Sequence, residues 1–237
     1  MFEFNETLDQ AIQRNVRDAL MEDIGKCDWT AQLINASEKV HAQVVVKQAD
    51  AVLCGQPWFE ACIKTLDPSA QITWHYKEGD VMTKQSVVCD ISANGRALLS
   101  GERPSLNFLQ SLSWTATTTH KHVAAIAGIS PNPSGCAILD TRKTIPGLRQ
   151  AQKYAVRIGG GQNQRLALWH GILIKENHIA AAGGIKNALQ NAFALNSGVD
   201  IQIEVENIAE MEEALEHGAK NILIDDFSLE DMARAVK

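Results

Sequence analysis

The chain has 237 residues, of which 45% are hydrophobic and 21% charged, enough for one large or two small domains with real cores. Its formal net charge of −6 argues against a broad nucleic-acid surface. No apolar run reaches membrane-span length, and MFEFNETLDQAIQRNVRDAL lacks the basic and apolar segments of a secretory signal.

Cys27, Cys54, Cys62, Cys89 and Cys136 are scattered and form no C-x-x-C pair, so reduced thiols in a cytoplasmic protein are expected rather than disulfides or a zinc site. His120 and His122 are two residues apart and do not share a helix face, so no metal is expected there.

In chain order, residues 5–23 place Leu8, Ile12, Val16, Ala19 and Leu20 at helical spacing. Short β-like runs follow at 40–47, 51–55, 71–76 and 86–91. Pro57 opens a helix through WFEACIKTL, and Gly79-Asp80 reads as a turn. Without strict alternation these elements suggest an α+β layer. A helical pattern then runs from Gly95 to Gly128. Pro104 interrupts it, and its missing N–H predicts a kink or a helix that starts near Arg103. ISPNPSG (129–135) reads as a loop.

From there the rhythm changes. Apolar runs at 136–140, 172–175, 201–206 and 221–226 alternate with helical stretches at 147–158, 183–196 and 208–218. Such alternation predicts parallel strands with crossover helices, as in a β/α barrel. Two domains follow from this change, 1–128 and 129–237. Each run ends in charge: Asp140 with Arg142 and Lys143 beyond it, Lys175, Glu204 with Glu206, and Asp225 with Asp226. Charged strand ends line the mouth of a β/α barrel, where active sites sit.

Between Thr141 and Lys175 there is no acidic residue. Arg142, Lys143, Arg165 and Lys175 fall near the ends of successive units and would form a positive pocket if they converge. Arginine suits bidentate binding of carboxylate or phosphate, and lysine adds a mobile charge. Gly159, Gly160 and Gly161 would let backbone N–H groups approach an anion. Arg149, Lys153 and Arg157 recur every four residues and are expected to form a solvated helix face. Glu204 and Asp225 suit ribose hydroxyls, a Mg²⁺ accompanying pyrophosphate, or field stabilisation of a cationic transition state. Tyr154 is the one aromatic in the basic stretch before Trp169, so no nucleic-acid stacking platform is expected.

GERPSLNFLQ, DTRKTIPGLRQAQKYAVRIGGGQNQR, LIKENHI and IEVEN closely resemble quinolinate phosphoribosyltransferase, a family also called nicotinate-nucleotide pyrophosphorylase (carboxylating). The likeness runs from the N-terminal helix to the last residue. It implies an α/β fold, with an N-terminal α/β sandwich and an incomplete parallel α/β barrel. It also implies a homodimer in which the sandwich of one subunit caps the barrel of the other. The implied reaction joins quinolinate to phosphoribosyl pyrophosphate with Mg²⁺, releasing pyrophosphate and CO₂ to give nicotinate mononucleotide for NAD biosynthesis.

By that resemblance Arg142, Arg165 and Lys175 hold the quinolinate carboxylates, with Arg103 reaching in from the partner subunit. Lys143 attends the phosphoribosyl pyrophosphate, and Glu204 and Asp225 hold ribose hydroxyls and metal. The catalytic set is Lys143, Lys175, Glu204 and Asp225.

The sequence departs from the family pattern at Pro104, Trp114, Gln164, Ala167 and His170. Gln164 stands where the family has histidine and still donates a hydrogen bond without charge. Past Lys237 the family pattern continues with glycine-rich strand ends that supply a phosphate site, so the barrel is expected to be truncated. Two readings stay open: an active phosphoribosyltransferase, or a non-catalytic relative that keeps fold and dimer and at most binds a dicarboxylate.

Overall fold

The computed structural model describes residues 6–130, 132 and 135–236. Asn5 of the first expected helix, and Pro131, Pro133 and Ser134 of the expected loop, lie outside them. Helix α1 (Leu8–Ile24) starts at a reciprocal cap. Gln10 N–H donates to Thr7 Oγ1 at 3.2 Å, and Thr7 N–H to Gln10 Oε1 at 2.8 Å. Its Ile12, Val16 and Leu20 stripe is buried.

Next come β1 (Lys39–Val45), β2 (Ala51–Val52), α2 (Gln56–Leu66), β3 (Gln71–Trp74), β4 (Val81–Met82) and β5 (Val87–Asn94). Strand β5 lies between β1 and β3 in an antiparallel sheet, and β2 pairs with β4. Alternation along β5 turns Cys89, Ile91 and Ala93 into a core shared with Leu53, Phe59, Ile63 and Leu109.

Helix α3 (Gly95–Ile126) is continuous, so the expected start near Arg103 is not what forms. Asn94 Oδ1 accepts from the Arg96 and Ala97 N–H groups and fixes the start a full two turns before Pro104. Pro104 is buried, and its neighbours Leu98, Ser105, Phe108, Leu109 and Leu112 are buried too. That packing outweighs the roughly 3 kcal/mol cost of proline inside a helix.

Helix α4 (Arg149–Ile158) packs on α3 and α1. A second core joins these helices to α2 through Val16, Trp58, Cys62, Leu112, Ala116, Ala151 and Ala155. Sheet on one side and helices on the other give this part of the chain its sandwich form.

The apolar run at 136–140 is not a strand. It makes one isolated parallel bridge, Leu139 with Gln162, and Leu139 is 52% exposed. Asp140 N–H donates to Gln162 O at 3.1 Å, and Gln162 N–H to Ile138 O at 2.8 Å. The ladder goes no further because the chain turns at once: Thr144 N–H donates to Arg142 O, and Lys143 N–H to Thr141 Oγ1, both at 3.0 Å.

The chain forms two compact units that divide between Gln164 and Arg165. The second unit contains β6 (Gly171–Ile174), α5 (Glu176–Ala182), α6 (Ile185–Ala194), β7 (Asp200–Val205), α7 (Ile208–Glu216), β8 (Asn221–Ile224) and α8 (Leu229–Ala235). Its strands form a parallel sheet in the order β6-β7-β8, an arc of an α/β barrel. Ile174, Ile203 and Val205 meet Ile185, Leu189 and Ala214 in its core.

Candidate active site

Three expected residues meet at the C-terminal edge of the parallel sheet. Register sets Ile174 beside Ile203 and Val205 beside Ile224. Lys175, Glu204 and Asp225 therefore sit at the ends of adjoining strands. Lys175 Nζ donates to both Glu204 carboxylate oxygens, at 2.7 and 2.8 Å. The Glu204 side chain is 9% exposed and that of Lys175 is 42% exposed, so the acid is buried and the cation faces outward.

The hydrogen bond that Lys175 donates to Glu204 is the main reason its pKa is raised. The charges of Glu204, Glu176 and Asp225 add to it, and partial desolvation opposes it. The Lys175 backbone is fixed as well, its N–H donating to His178 Nδ1 at 3.0 Å. Asp225 N–H donates to Val205 O at 2.9 Å, and this residue is exposed.

Arg165 is anchored elsewhere in this unit. Its Nη1 donates to Gly171 O at 3.2 Å, at the start of β6. The four residues of β6 span about 13 Å at strand rise, so this anchor and Lys175 lie at opposite ends of the strand. A cavity of about 390 Å³ along β6 is lined by Arg165, Gly171, Leu173 and His178, among others. Another, of about 320 Å³, is lined by Glu176, Glu204, Glu206, Glu210 and Glu213. Its acidity makes it unsuited to a dicarboxylate.

The first unit carries the remaining candidates. Arg142 is half-buried, and its Nε is buried with no hydrogen-bond partner among the described residues. Its carbonyl accepts from Arg149 Nη2 at 3.3 Å, while Arg149 Nε donates to Thr144 Oγ1 at 3.1 Å. Lys143 is exposed. The far shoulder of the loop is gripped by α1, where Arg14 Nη1 and Asn15 Nδ2 each donate to Gly147 O at 3.0 Å. Gln164 is half-buried and its N–H donates to Asp140 Oδ1 at 3.0 Å. Arg103 is exposed on α3 and lines a cavity of about 190 Å³ with Glu22, Asp23, Ile145 and Gln152.

Two expectations are corrected here. The glycine triplet offers no N–H groups to an anion. Gly159, Gly160 and Gly161 donate to Ala155 O, Arg157 O and Val156 O, each at 3.0 Å. The glycines serve close packing: a Cβ on Gly159 would lie 2.4 Å from Ala116 O, and one on Gly161 2.8 Å from the Thr119 and Val156 methyls.

The stripe on α4 is also not a solvated face. Arg157 is exposed, but Lys153 is buried and its Nζ is hydrogen-bonded to Asp140 Oδ1. Asp140, Lys153 and Asn163 were missed as candidates. The signal was Asp140 itself, the lone acid at the head of a basic stretch, which needs a cationic partner once its side chain is buried.

Two of the sequence departures, Ala167 and Trp114, have local accounts. Ala167 has φ −157°, extended backbone open to any residue. Trp114 is 64% exposed on α3. Its flanking hydroxyls are structural: Val52 N–H donates to Thr117 Oγ1 at 2.8 Å, and Cys54 N–H to Ser113 Oγ at 3.0 Å.

The model of the quinolinate phosphoribosyl transferase N-terminal domain matches residues 28–113, and that of the C-terminal domain matches 115–237. The chain is 40% identical over 206 residues to a probable nicotinate-nucleotide pyrophosphorylase (carboxylating) of Bacillus subtilis, covering 86% of this chain and 69% of the relative. A similarly named Synechocystis protein is 38% identical over 219 residues, covering 92% and 72%. Among solved structures, the nicotinate-nucleotide pyrophosphorylase from Francisella tularensis superposes with a TM-score of 0.90 at 40% identity, covering 100% of this chain and 82% of that one. NadC from Streptococcus pyogenes gives 0.88 at 34% identity, covering 99% and 81%. With the two domain models together matching most of its length, the chain belongs to the quinolinate phosphoribosyl transferase family.

Proposed function

We propose that the protein transfers a phosphoribosyl group from phosphoribosyl pyrophosphate to quinolinate, with loss of CO₂ and pyrophosphate, giving nicotinate mononucleotide for NAD biosynthesis. The observation that carries this reading beyond family membership is Arg142, whose buried Nε has no acceptor among the described residues. An unsatisfied buried donor costs about 1–3 kcal/mol, a cost that an anionic ligand would relieve.

Quinolinate is a dicarboxylate, and Arg142, Arg165 and Lys175 are the cations suited to it, with Gln164 as a neutral donor. Lys143 is suited to phosphate oxygens. Glu204 and Asp225 suit the ribose hydroxyls and the positive charge that develops at C1 as pyrophosphate leaves. The ring nitrogen bonds to C1. The adjacent C–CO₂⁻ bond then breaks, its electron pair stays on the ring beside the new cation, and a proton replaces the lost CO₂. Exclusion of water favours that step.

A Mg²⁺ ion fits as a companion of pyrophosphate. Among the described residues no cluster of three or more acidic, histidine or cysteine side chains could hold it alone. Asp225, which is exposed, would help hold the ion beside the phosphate oxygens, whereas Glu204 is already committed to Lys175. When bound, the ion would neutralise charge on the leaving pyrophosphate. Use of Arg103 by a partner subunit in a homodimer belongs to the same reading, as does a cytoplasmic location. Free, buried Cys54, Cys62 and Cys89 suit that compartment.

Titration calorimetry with quinolinate tests the site. Arg142→Ala is expected to weaken binding at least tenfold. Unchanged binding in that variant contradicts the assignment.

A further inference from the structure

We infer that Asp140, Lys153 and Asn163 form a buried positioning triad that holds the Arg142–Lys143 loop and Gln164 in their working geometry. None of the three is placed here against a substrate. The inference rests on the proposed reaction for its consequence, though not for its geometry.

Asp140 stands two residues before Arg142, and Asn163 directly before Gln164. The Asp140 carboxylate gathers three donors. Lys153 Nζ and Gln164 N–H share Oδ1, the latter at 3.0 Å, while Asn163 Nδ2 donates to Oδ2 at 2.5 Å. Asn163 also bonds α4 twice: Nδ2 donates to Lys153 O at 2.9 Å, and Oδ1 accepts from Arg157 Nη1 at 2.5 Å. The paired side chains are 3% and 8% exposed, so water does not replace these bonds.

The backbone repeats the connection, through Asp140 N–H to Gln162 O and Gln162 N–H to Ile138 O. Two loops that bear candidate substrate residues are thus tied to one carboxylate and one helix. An ion pair this buried is costly to form and worse to break from one side, since the remaining charge is stranded. That one-sidedness makes it a rigid clamp, and rigid support is what a binding arginine on a loop requires.

The test has two arms. In the ligand-free protein, hydrogen–deuterium exchange is compared for Lys153→Met, Asn163→Ala and Thr117→Val. Thr117 is a buried control that bonds β2 rather than these loops. Loss of protection in peptides covering 138–148 and 162–165 is expected for the first two variants and not for the control. Unchanged protection there in a folded Lys153→Met or Asn163→Ala protein overturns the proposal. If Lys153→Met does not fold, Asn163→Ala decides, since it leaves the ion pair in place.

In the second arm, quinolinate affinity at a temperature where all variants are folded should fall about tenfold in Lys153→Met and about threefold in Asn163→Ala. It should stay within twofold in Thr117→Val, even if that variant melts lower. Wild-type affinity in the first two also overturns the proposal. If the unmodified protein does not bind quinolinate, the proposed reaction fails, and the exchange arm still decides the triad.

Discussion

Lys175 Nζ bridges both oxygens of the buried Glu204 carboxylate, so a cation at the end of β6 and an anion near the end of β7 are held as one unit. Each explains the other. Glu204 needs a partner because it is buried, and Lys175 gains a fixed position in return. Glu204→Gln keeps the shape and removes the charge. We expect turnover to fall by about 10²-fold, the scale seen when one preorganised electrostatic group is lost. Lys175→Met strands the carboxylate and should destabilise the fold by about 1–3 kcal/mol, read by urea unfolding. Wild-type turnover in Glu204→Gln would remove that residue from the mechanism.

The same pair sets a pH dependence. Lys175 has a raised pKa in the folded state, so its contribution is complete below the unfolded lysine value of about 10.4 and is lost as pH rises through the folded value. The stability difference between wild type and Lys175→Met should be constant from about pH 7 to pH 9 and shrink above about pH 10.5. Shrinkage already at pH 8 would contradict the assignment.

Glu78 has the opposite relation to its charge. Burial raises its carboxyl pKa even though Oε1 accepts from Gly55 N–H at 2.8 Å and Gln56 N–H at 2.6 Å, and Oε2 from Tyr154 Oη at 3.2 Å. A raised carboxyl pKa means stability is greatest below the unfolded value of about 4.3 and falls as pH rises through the folded value. Glu78→Gln keeps an acceptor for both N–H groups and has no charge to bury. It should raise the melting temperature at pH 8 and lose that advantage near pH 4. A lower melting temperature at pH 8 would show that the charge on the α2 N-terminus outweighs its burial cost.

Gly159 tests the packing account of the glycine triplet. A methyl group there meets the Ala116 carbonyl, which cannot move without bending α3. Gly159→Ala should cost about 1–3 kcal/mol, or roughly 2–4 °C for each kcal/mol, by calorimetry. A variant with wild-type stability would reopen the anion-binding reading.

Much of the architecture was legible because periodicity carries it. The α1 stripe, the long α3 pattern and the apolar runs that became β6, β7 and β8 all fell where their spacing placed them. The run at 136–140 misled because five residues of apolar character cannot show whether a neighbour exists to extend the ladder. It found one bridge. Lys153 misled because a helical stripe of cations looks solvated until the element opposite is known, and Asp140 lies 13 positions away in sequence.

The glycine triplet had two physical uses, and only the packing around Ala116 and Thr119 separates them. Lys175, Glu204 and Asp225 were legible as strand ends because parallel register brings such ends together. The anchoring of Arg165 at Gly171, on the opposite end of β6, was not. A side chain's direction is not written in its spacing.

Purified protein supplied with quinolinate, phosphoribosyl pyrophosphate and Mg²⁺ should form nicotinate mononucleotide with one CO₂ released per product, followed by chromatography and by capture of labelled CO₂. Product in that ratio is the predicted result. Absence of both product and CO₂, from protein that calorimetry shows to bind quinolinate, would contradict it and leave a dicarboxylate-binding relative of the enzyme.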